Sequence, residues 1–235
     1  MSDNKEDVYA TLKYIIIGDT NVGKSKINLR FVNEEFVSEY QATVGVEFGS
    51  KVVEYDNKKY KVQVWDTAGQ EQFKSIARNY YKNTVCTLVV YDITSRDSFN
   101  NVKSWIDDCK QHIAPTTQII ILGNKCDLED KREVSTEEGN EFAESRELQF
   151  YETSAKDGTN VEKVFRSSVE KIAKNIAQKY YDLNDESCGI KIEKVERMSS
   201  VQLEKDKVKK KGKKVTVKGN FKTNNLVFES DEDDD

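Results

Sequence analysis

The sequence predicts an α/β fold: a six-stranded mixed sheet with one antiparallel hairpin at its edge and helices on both faces. Three observations carry this expectation. Apolar runs of strand length alternate with helical patterns between residues 12 and 181, which implies parallel strands joined by crossover helices. Two of the runs are separated only by Asp56-Asn57-Lys58-Lys59, a connection too short for a crossover, so that pair must be antiparallel. The first run also leads directly into a glycine-containing loop and then a helical pattern, which is a strand–loop–helix unit.

Strands are expected at 12–17, 46–55, 60–65, 85–91, 118–122 and 149–151. The first contains Tyr14-Ile15-Ile16-Ile17, and the second and third form the edge hairpin. Helices are expected at 24–33, 98–113, 135–147 and 160–181. The second can be capped by Asp97 or Ser98 and runs through Trp105 and Ile106. The third opens with Ser135-Thr136-Glu137-Glu138, a capping box in which Glu138 lies three residues after Ser135.

Composition changes near residue 182. Residues 1–181 read as one globular domain and 182–235 as a charged, disordered tail. Within the tail, 205–222 holds nine lysines and one acid, and 229–235 holds six acids in seven residues. The blocks are opposite in sign. Over the whole chain 37% of residues are hydrophobic, 34% are charged and the net charge is −5. That balance argues against nucleic-acid binding by the whole protein. The first residues show no apolar stretch of the signal-peptide kind, and no apolar run approaches the ~18 residues of a membrane span. The four cysteines form no CxxC pair, so free thiols in a reducing, cytoplasmic setting are expected. His112 is the only histidine, which makes a Ser-His-Asp triad or a multi-histidine metal centre hard to build.

The loop after the first strand, Gly18-Asp19-Thr20-Asn21-Val22-Gly23-Lys24-Ser25, fits GxxxxGK[ST]. A chance match in a chain this long is on the order of one per cent, and the strand before and helix after lower that further. Backbone N–H groups from Gly18 through Val22 and Gly23 are suited to cradling phosphates at a helix N-terminus. Asn21 tolerates the left-handed backbone angles that such a loop can require. Lys24 neutralises phosphate charge, and Ser25 offers a hydroxyl to Mg²⁺. Lys26 either adds a contact to the α-phosphate or points to solvent.

Trp65-Asp66-Thr67-Ala68-Gly69-Gln70 ends the third strand. Asp66 is placed to hold the metal, Gly69 to bring its N–H to a γ-phosphate, and Gln70 to orient an attacking water. Thr43 can close the metal shell while a γ-phosphate is present and release it afterwards. No arginine lies around Thr43, so turnover should be slow, around 10⁻⁴ s⁻¹, without an arginine donated by a partner. Asn124-Lys125-Cys126-Asp127 follows the fifth strand. The Asp127 carboxylate can accept from N1–H and the 2-amino group of guanine, which adenine cannot offer. The stem of Lys125 can lie over the base. Ser154-Ala155-Lys156 supplies backbone to the guanine carbonyl. Cys126 reads as a packing residue.

These motifs resemble the Ras-like small GTPases, and within them the Rab family, over about residues 8–181. The segments Val44-Gly45-Val46-Glu47-Phe48, Lys61-Val62-Gln63-Val64-Trp65, Gln72-Phe73-Lys74-Ser75-Ile76 and Val90-Tyr91-Asp92-Ile93-Thr94 carry the narrower likeness. The resemblance implies a P-loop NTPase fold and a monomeric GTP hydrolase that holds GTP or GDP with Mg²⁺ and switches vesicle traffic. It implies exchange factors, arginine-donating activating proteins and effectors as partners. It also implies that Phe36 packs edge-on against guanine, that Tyr40 shields the phosphates, and that Phe48, Trp65 and Tyr80 meet effectors. Each of these aromatics has a plain core-packing alternative, and for Trp65 the two readings stand level. The family's C-terminal prenylated cysteines have no counterpart in the acidic terminus, so only transient endomembrane contact is expected, through the lysines of 205–222. A Ran-like nuclear-transport GTPase and a nucleotide-holding module that does not cycle are the alternatives.

Overall fold

The central strand β1 (Val8–Ile17) organises the sheet. Tyr14 and Ile16 are buried in one core, Ile15 and Ile17 in another. A strand apolar on both sides needs helices over both faces. The structure is a computed structural model that describes residues 7–36, 43, 45–69 and 74–193, without the side chains of 74–76.

Within those residues β1 pairs in parallel with β3 (Lys58–Thr67) and with β4 (Cys86–Asp92). The strands β5 (Gln118–Asn124) and β6 (Gln149–Thr153) continue the parallel run. The antiparallel hairpin is present: β2 (Val46–Tyr55) pairs with β3 at the outer edge, and the order is β2-β3-β1-β4-β5-β6. Its connection is two residues rather than four. Asp56 and Asn57 have φ of 50° and 56°, the left-handed pair that a two-residue hairpin turn demands and that Asp and Asn accept.

One face is covered by α1 (Lys24–Asn33) and α6 (Val161–Ala177). The buried residues of α6, from Val161 through Val164, Phe165, Val169 and Ile172 to Ile176, recur at spacings of three and four, the stripe of an amphipathic helix. Phe165 stacks on Phe31 of α1 with ring centroids 3.6 Å apart. Each such side chain contributes about 1.5–3 kcal/mol by burial. The other face is covered by α2 (Lys74–Tyr81), α4 (Val102–Lys110) and α5 (Thr136–Glu144), which bury Tyr81, Trp105, Ile106 and Ala143.

The capping box before α5 is formed, with Ser135 and Glu138 bonded reciprocally. The helix expected at 98–113 starts earlier and divides at Asn101 into α3 (Arg96–Asn100) and α4. Its cap is therefore Ser95, whose hydroxyl accepts from the Ser98 N–H, rather than Asp97 or Ser98. The helix α2 carries no strong start signal in the sequence and was not expected.

The sheet has seven strands rather than six. A 3₁₀ turn at Glu186–Cys188 leads into β7 (Ile190–Ile192), which pairs antiparallel with Ala10, Thr11 and Leu12 of β1. The cause lies in the length of β1. The pairing of β4 with β1 begins only at Tyr14, so the first half of β1 has open backbone groups on that side, and unpaired buried N–H and C=O groups are costly. The β7 strand fills that half: the Lys13 N–H donates to the Gly189 carbonyl at 3.0 Å, and the Glu193 N–H donates to the Tyr9 carbonyl at 3.1 Å. Of the residues read from composition as the start of the tail, 190–192 thus form a strand of the sheet and 186–188 the turn that leads into it. Chain contacts divide at Val195/Glu196, and everything from 194 onward, including both charged blocks, lies outside the described residues.

A chain shortened to end at 181 should melt about 5–10 °C below one ending at 193. Ile190 and Cys188 are each 5% exposed. Their lost burial is worth roughly 2–3 kcal/mol, at about 2–4 °C per kcal/mol for a domain of this size. Equal melting temperatures would show that β7 adds no stability.

Candidate functional site

The loops at the carboxyl ends of β1, β3, β4, β5 and β6 meet on one edge of the sheet, the place where open α/β sheets bind ligands. The loop from Gly18 to Ser25 lies between β1 and α1. Gly23 has φ 97°, and a Cβ there would stand 2.3 Å from Asn124 Nδ2. Glycine is needed on both counts. Asn21 has φ 62°, the left-handed angle expected of it. Lys26 is half-buried on α1.

Lys24 is 6% exposed. Its ammonium donates to the carbonyls of Gly18 at 3.0 Å and Asp19 at 2.6 Å, which holds it within the loop. Burial lowers its pKa to about 8, against the upward pull of Asp66 and Asp19. Asp66 lies at the end of β3 and is fully buried. Burial raises its pKa to about 6, opposed by the Ser25 hydroxyl and the Lys24 charge.

Ser25 Oγ is bonded to the Asp66 carboxylate and lies 2.7 Å from Thr43 Oγ1. Three oxygen-bearing side chains from three separate segments therefore converge. The second carboxylate oxygen, Asp66 Oδ1, is buried and has no hydrogen-bond partner among the described residues. An all-oxygen set with one uncommitted anionic oxygen fits a hard divalent cation such as Mg²⁺. Gly69 closes this end of the site. A Cβ on it would meet Lys24 Nζ at 2.4 Å and the Asp19 backbone at 2.5 Å, so only glycine allows the loop after β3 to approach this closely.

The second cluster lies at the ends of β5 and β6. The Ser154 hydroxyl donates to Asp127 Oδ1 at 2.7 Å, and Lys156 Nζ stands 3.6 Å from Asp127 Oδ2. Asn124 is 1% exposed and bonded to protein at both ends of its amide. Its Nδ2 donates to the Val22 carbonyl at 2.8 Å, and its Oδ1 accepts from the Ala155 N–H and the Thr153 hydroxyl, each at 3.3 Å. It ties the loop after β1 to the loop after β6. Cys126 is half-buried, and burial raises its thiol to about 11, so it stays protonated at neutral pH, as a packing residue would. Phe36 is 38% exposed just beyond α1. Tyr40 and Gln70 lie outside the described residues.

Two positioning groups were not foreseen. Asp92, at the end of β4, pairs with Lys125 Nζ at 2.5 Å and accepts from both the N–H and the hydroxyl of Thr94. Asp19 accepts from the Trp105 indole at 2.7 Å and from Asn101 Nδ2 at 2.8 Å, which ties the loop after β1 to α4. The only sequence sign of the first is an Asp two residues before a Thr, an Asx-turn pattern. The second has no local sign, because its partners lie more than eighty residues away. A cleft of about 320 Å³ opens beside the loop, with Asp19, Gly69, Asp92 and Asp97 among its walls. On the sheet beyond β3, Phe48 is 52% exposed and packs edge-on against Trp65 at 5.2 Å, and Trp65 meets Tyr80 at 5.2 Å.

A phosphate-type loop, an oxygen-lined cation position and a separate aspartate-bearing cluster define a nucleotide-binding switch of the α/β class. A family model described as the Ras family matches residues 13–174, more than half of the chain, and the chain belongs to that family. It is a small GTPase, a GTP-binding switch protein. Members of the family bind GTP or GDP with Mg²⁺ and work with exchange factors, activating proteins and effectors.

Proposed function

We propose that this chain is a Rab-type switch that holds GTP or GDP with Mg²⁺, hydrolyses GTP slowly and reports the bound nucleotide to effectors in vesicle traffic. The observation that carries the reading is the meeting of Ser25, Thr43 and Asp66 beside Lys24. Thr43 comes from the segment between α1 and β2, so a metal position built partly from its hydroxyl makes that segment sensitive to what occupies the site.

In this reading the backbone of Gly18, Asn21, Val22 and Gly23 cradles the phosphates, with Lys24 as the balancing charge and Lys26 at the α-phosphate side. Ser25, Thr43 and Asp66 would hold Mg²⁺, which would supply positive charge against the phosphates. Gly69 presents its N–H to the γ-phosphate, and Gln70 orients the attacking water. Phe36 and Tyr40 flank the nucleotide. Asn124 and Lys125 support the base loop, Asp127 reads the guanine edge, and Ser154, Ala155 and Lys156 frame its carbonyl. An activating partner would supply the arginine that the sequence around Thr43 lacks. The trio Phe48, Trp65 and Tyr80 offers effectors an aromatic surface. Among the described residues no helix is long and apolar enough to cross a membrane, and the lysines of 205–222 supply weak attraction to anionic lipid.

Single-turnover hydrolysis tests the enzymatic half. The native chain should lose γ-phosphate at around 10⁻⁴ s⁻¹, and Gln70→Leu should remain loaded with GTP. No loss over many hours, with or without cell extract, would leave a nucleotide-holding module. Imaging of the tagged chain tests the pathway: vesicular puncta support traffic, and a nuclear signal would replace it with nuclear transport.

A further inference from the structure

Arg30 is absent from every motif above, yet its guanidinium spans two of the loops that build the site. It lies on α1, six residues after Lys24. Its Nε donates to the Ala155 carbonyl at 2.8 Å, and its Nη2 donates to the Lys156 carbonyl at 2.6 Å. Its Nη1 donates to the Glu34 carbonyl at 2.7 Å, which also closes the C-terminal end of α1. All three nitrogens are engaged by backbone oxygens, two of them in the loop after β6. A planar fork of this kind fixes orientation as well as distance.

We propose that Arg30 is a specificity-positioning residue: it sets the peptide planes of the Ala155–Lys156 loop so that the Lys156 N–H faces the guanine carbonyl. A trans peptide places its C=O and N–H on opposite sides. With the Ala155 carbonyl turned to Arg30, the N–H of the same peptide, that of Lys156, is turned away from it. From the other side Asn124 Oδ1 takes the Ala155 N–H, and Ser154 is bonded to Asp127. The loop is thus gripped on both flanks, by Asn124 and Asp127 on the base side and by Arg30 behind. The third bond adds a link. The chain beyond Glu34 runs toward Phe36 and Thr43, so one side chain joins the base loop to the root of the segment that closes the metal position.

The proposal rests on the guanine reading of Asp127, so the experiment separates the two. Affinities are measured for GDP, for 6-thioguanosine diphosphate, which differs only at the carbonyl position, and for inosine diphosphate, which lacks only the 2-amino group. The native chain should prefer GDP over both. In Arg30→Ala the preference over the thio nucleotide should fall about fivefold, the scale of one hydrogen bond, while the preference over inosine diphosphate stays within about twofold. Arg30→Lys, which keeps the charge and loses the fork, should show a smaller fall of the same kind and serves if the alanine variant folds poorly. Equal weakening for all three nucleotides, unchanged ratios, or equal loss of both preferences would each overturn the role. A native chain indifferent to the thio substitution would also overturn it. Asp127→Asn tests the underlying reading alone: it should exchange guanine for xanthine preference, because an amide can donate to the 2-carbonyl of xanthine. Failure of that exchange removes the guanine reading and the proposal together. Success with unchanged Arg30→Ala ratios removes only the proposal.

Discussion

Lys24→Ala should lower the affinity for GDP by about a thousandfold, measured by titration with a fluorescent nucleotide. The side chain is 6% exposed and its ammonium is held by the Gly18 and Asp19 carbonyls. Burial lowers its pKa only to about 8, so it remains largely charged at neutral pH, and the proposed function sets that charge against the phosphates. Its removal takes away the buried positive charge opposite a multiply charged anion. Breaking one partner of a buried ion pair costs about 3–5 kcal/mol, and each 1.4 kcal/mol is about tenfold. Lys24→Met keeps most of the volume and separates charge from packing; it should bind as poorly as the alanine variant. The empty Met variant should be at least as stable as the empty native chain, because it no longer buries a cation. A loss below about tenfold in both would mean that Lys24 does not touch the phosphates.

Stripping nucleotide and metal with a chelator should lower the melting temperature by about 10 °C. A ligand at about a thousand times its Kd stabilises by roughly 4 kcal/mol, and a domain of this size shifts about 2–4 °C per kcal/mol. Two buried charges, Asp66 and Lys24, give the physical reason to expect this dependence. The pKa of Asp66 is raised from 3.8 to about 6, so its contribution to the empty fold is favourable at low pH and is lost as pH rises through 6. That of Lys24 is lowered from 10.5 to about 8, so its contribution is favourable at high pH and is lost as pH falls through 8. Between pH 6 and 8 the empty fold carries both penalties, each of roughly 3 kcal/mol. The gap between loaded and stripped melting temperatures should therefore be widest in that window. A gap of less than about 2 °C across it would show that the site does not govern stability.

Much of this was legible in the sequence because the signals are local. Lys24–Asn33 starts and ends where its pattern does, and the 46–55 strand matches residue for residue. Asp56 and Asn57 announce a hairpin, although only the left-handed angles show that two residues complete it. Ser25 meets Thr43 and Asp66 across 18 and 41 residues, a meeting foreseen only because the loop motifs name these residues, not because any local signal shows it. What was not legible depends on distance along the chain. The three-residue β7 has no periodicity to detect; it forms because β4 leaves half of β1 unpaired, a fact about another strand's register. Asp19, Asp92 and Arg30 act through partners 82 to 86, 33 and 125 to 126 residues away. Their residue types fit many surface roles, and only the folded sheet selects one. The two halves of the 98–113 helix divide at Asn101, whose side chain reaches back to Asp19, again a contact with no local trace.

The pairing of β7 with β1 also decides where mechanical load enters the molecule. A tail rooted at the end of α6 would tug on a surface helix. This one is rooted at residues 190–193, on the central strand, roughly 25 Å from the phosphate loop by strand rise. Tension applied beyond residue 193 would act first on the bond from Glu193 to Tyr9 and last on that from Lys13 to Gly189. The same strand carries that strain toward Gly18. A pull on the chain beyond residue 193 and a grip on the loop at Gly18 would therefore act on two ends of one rod.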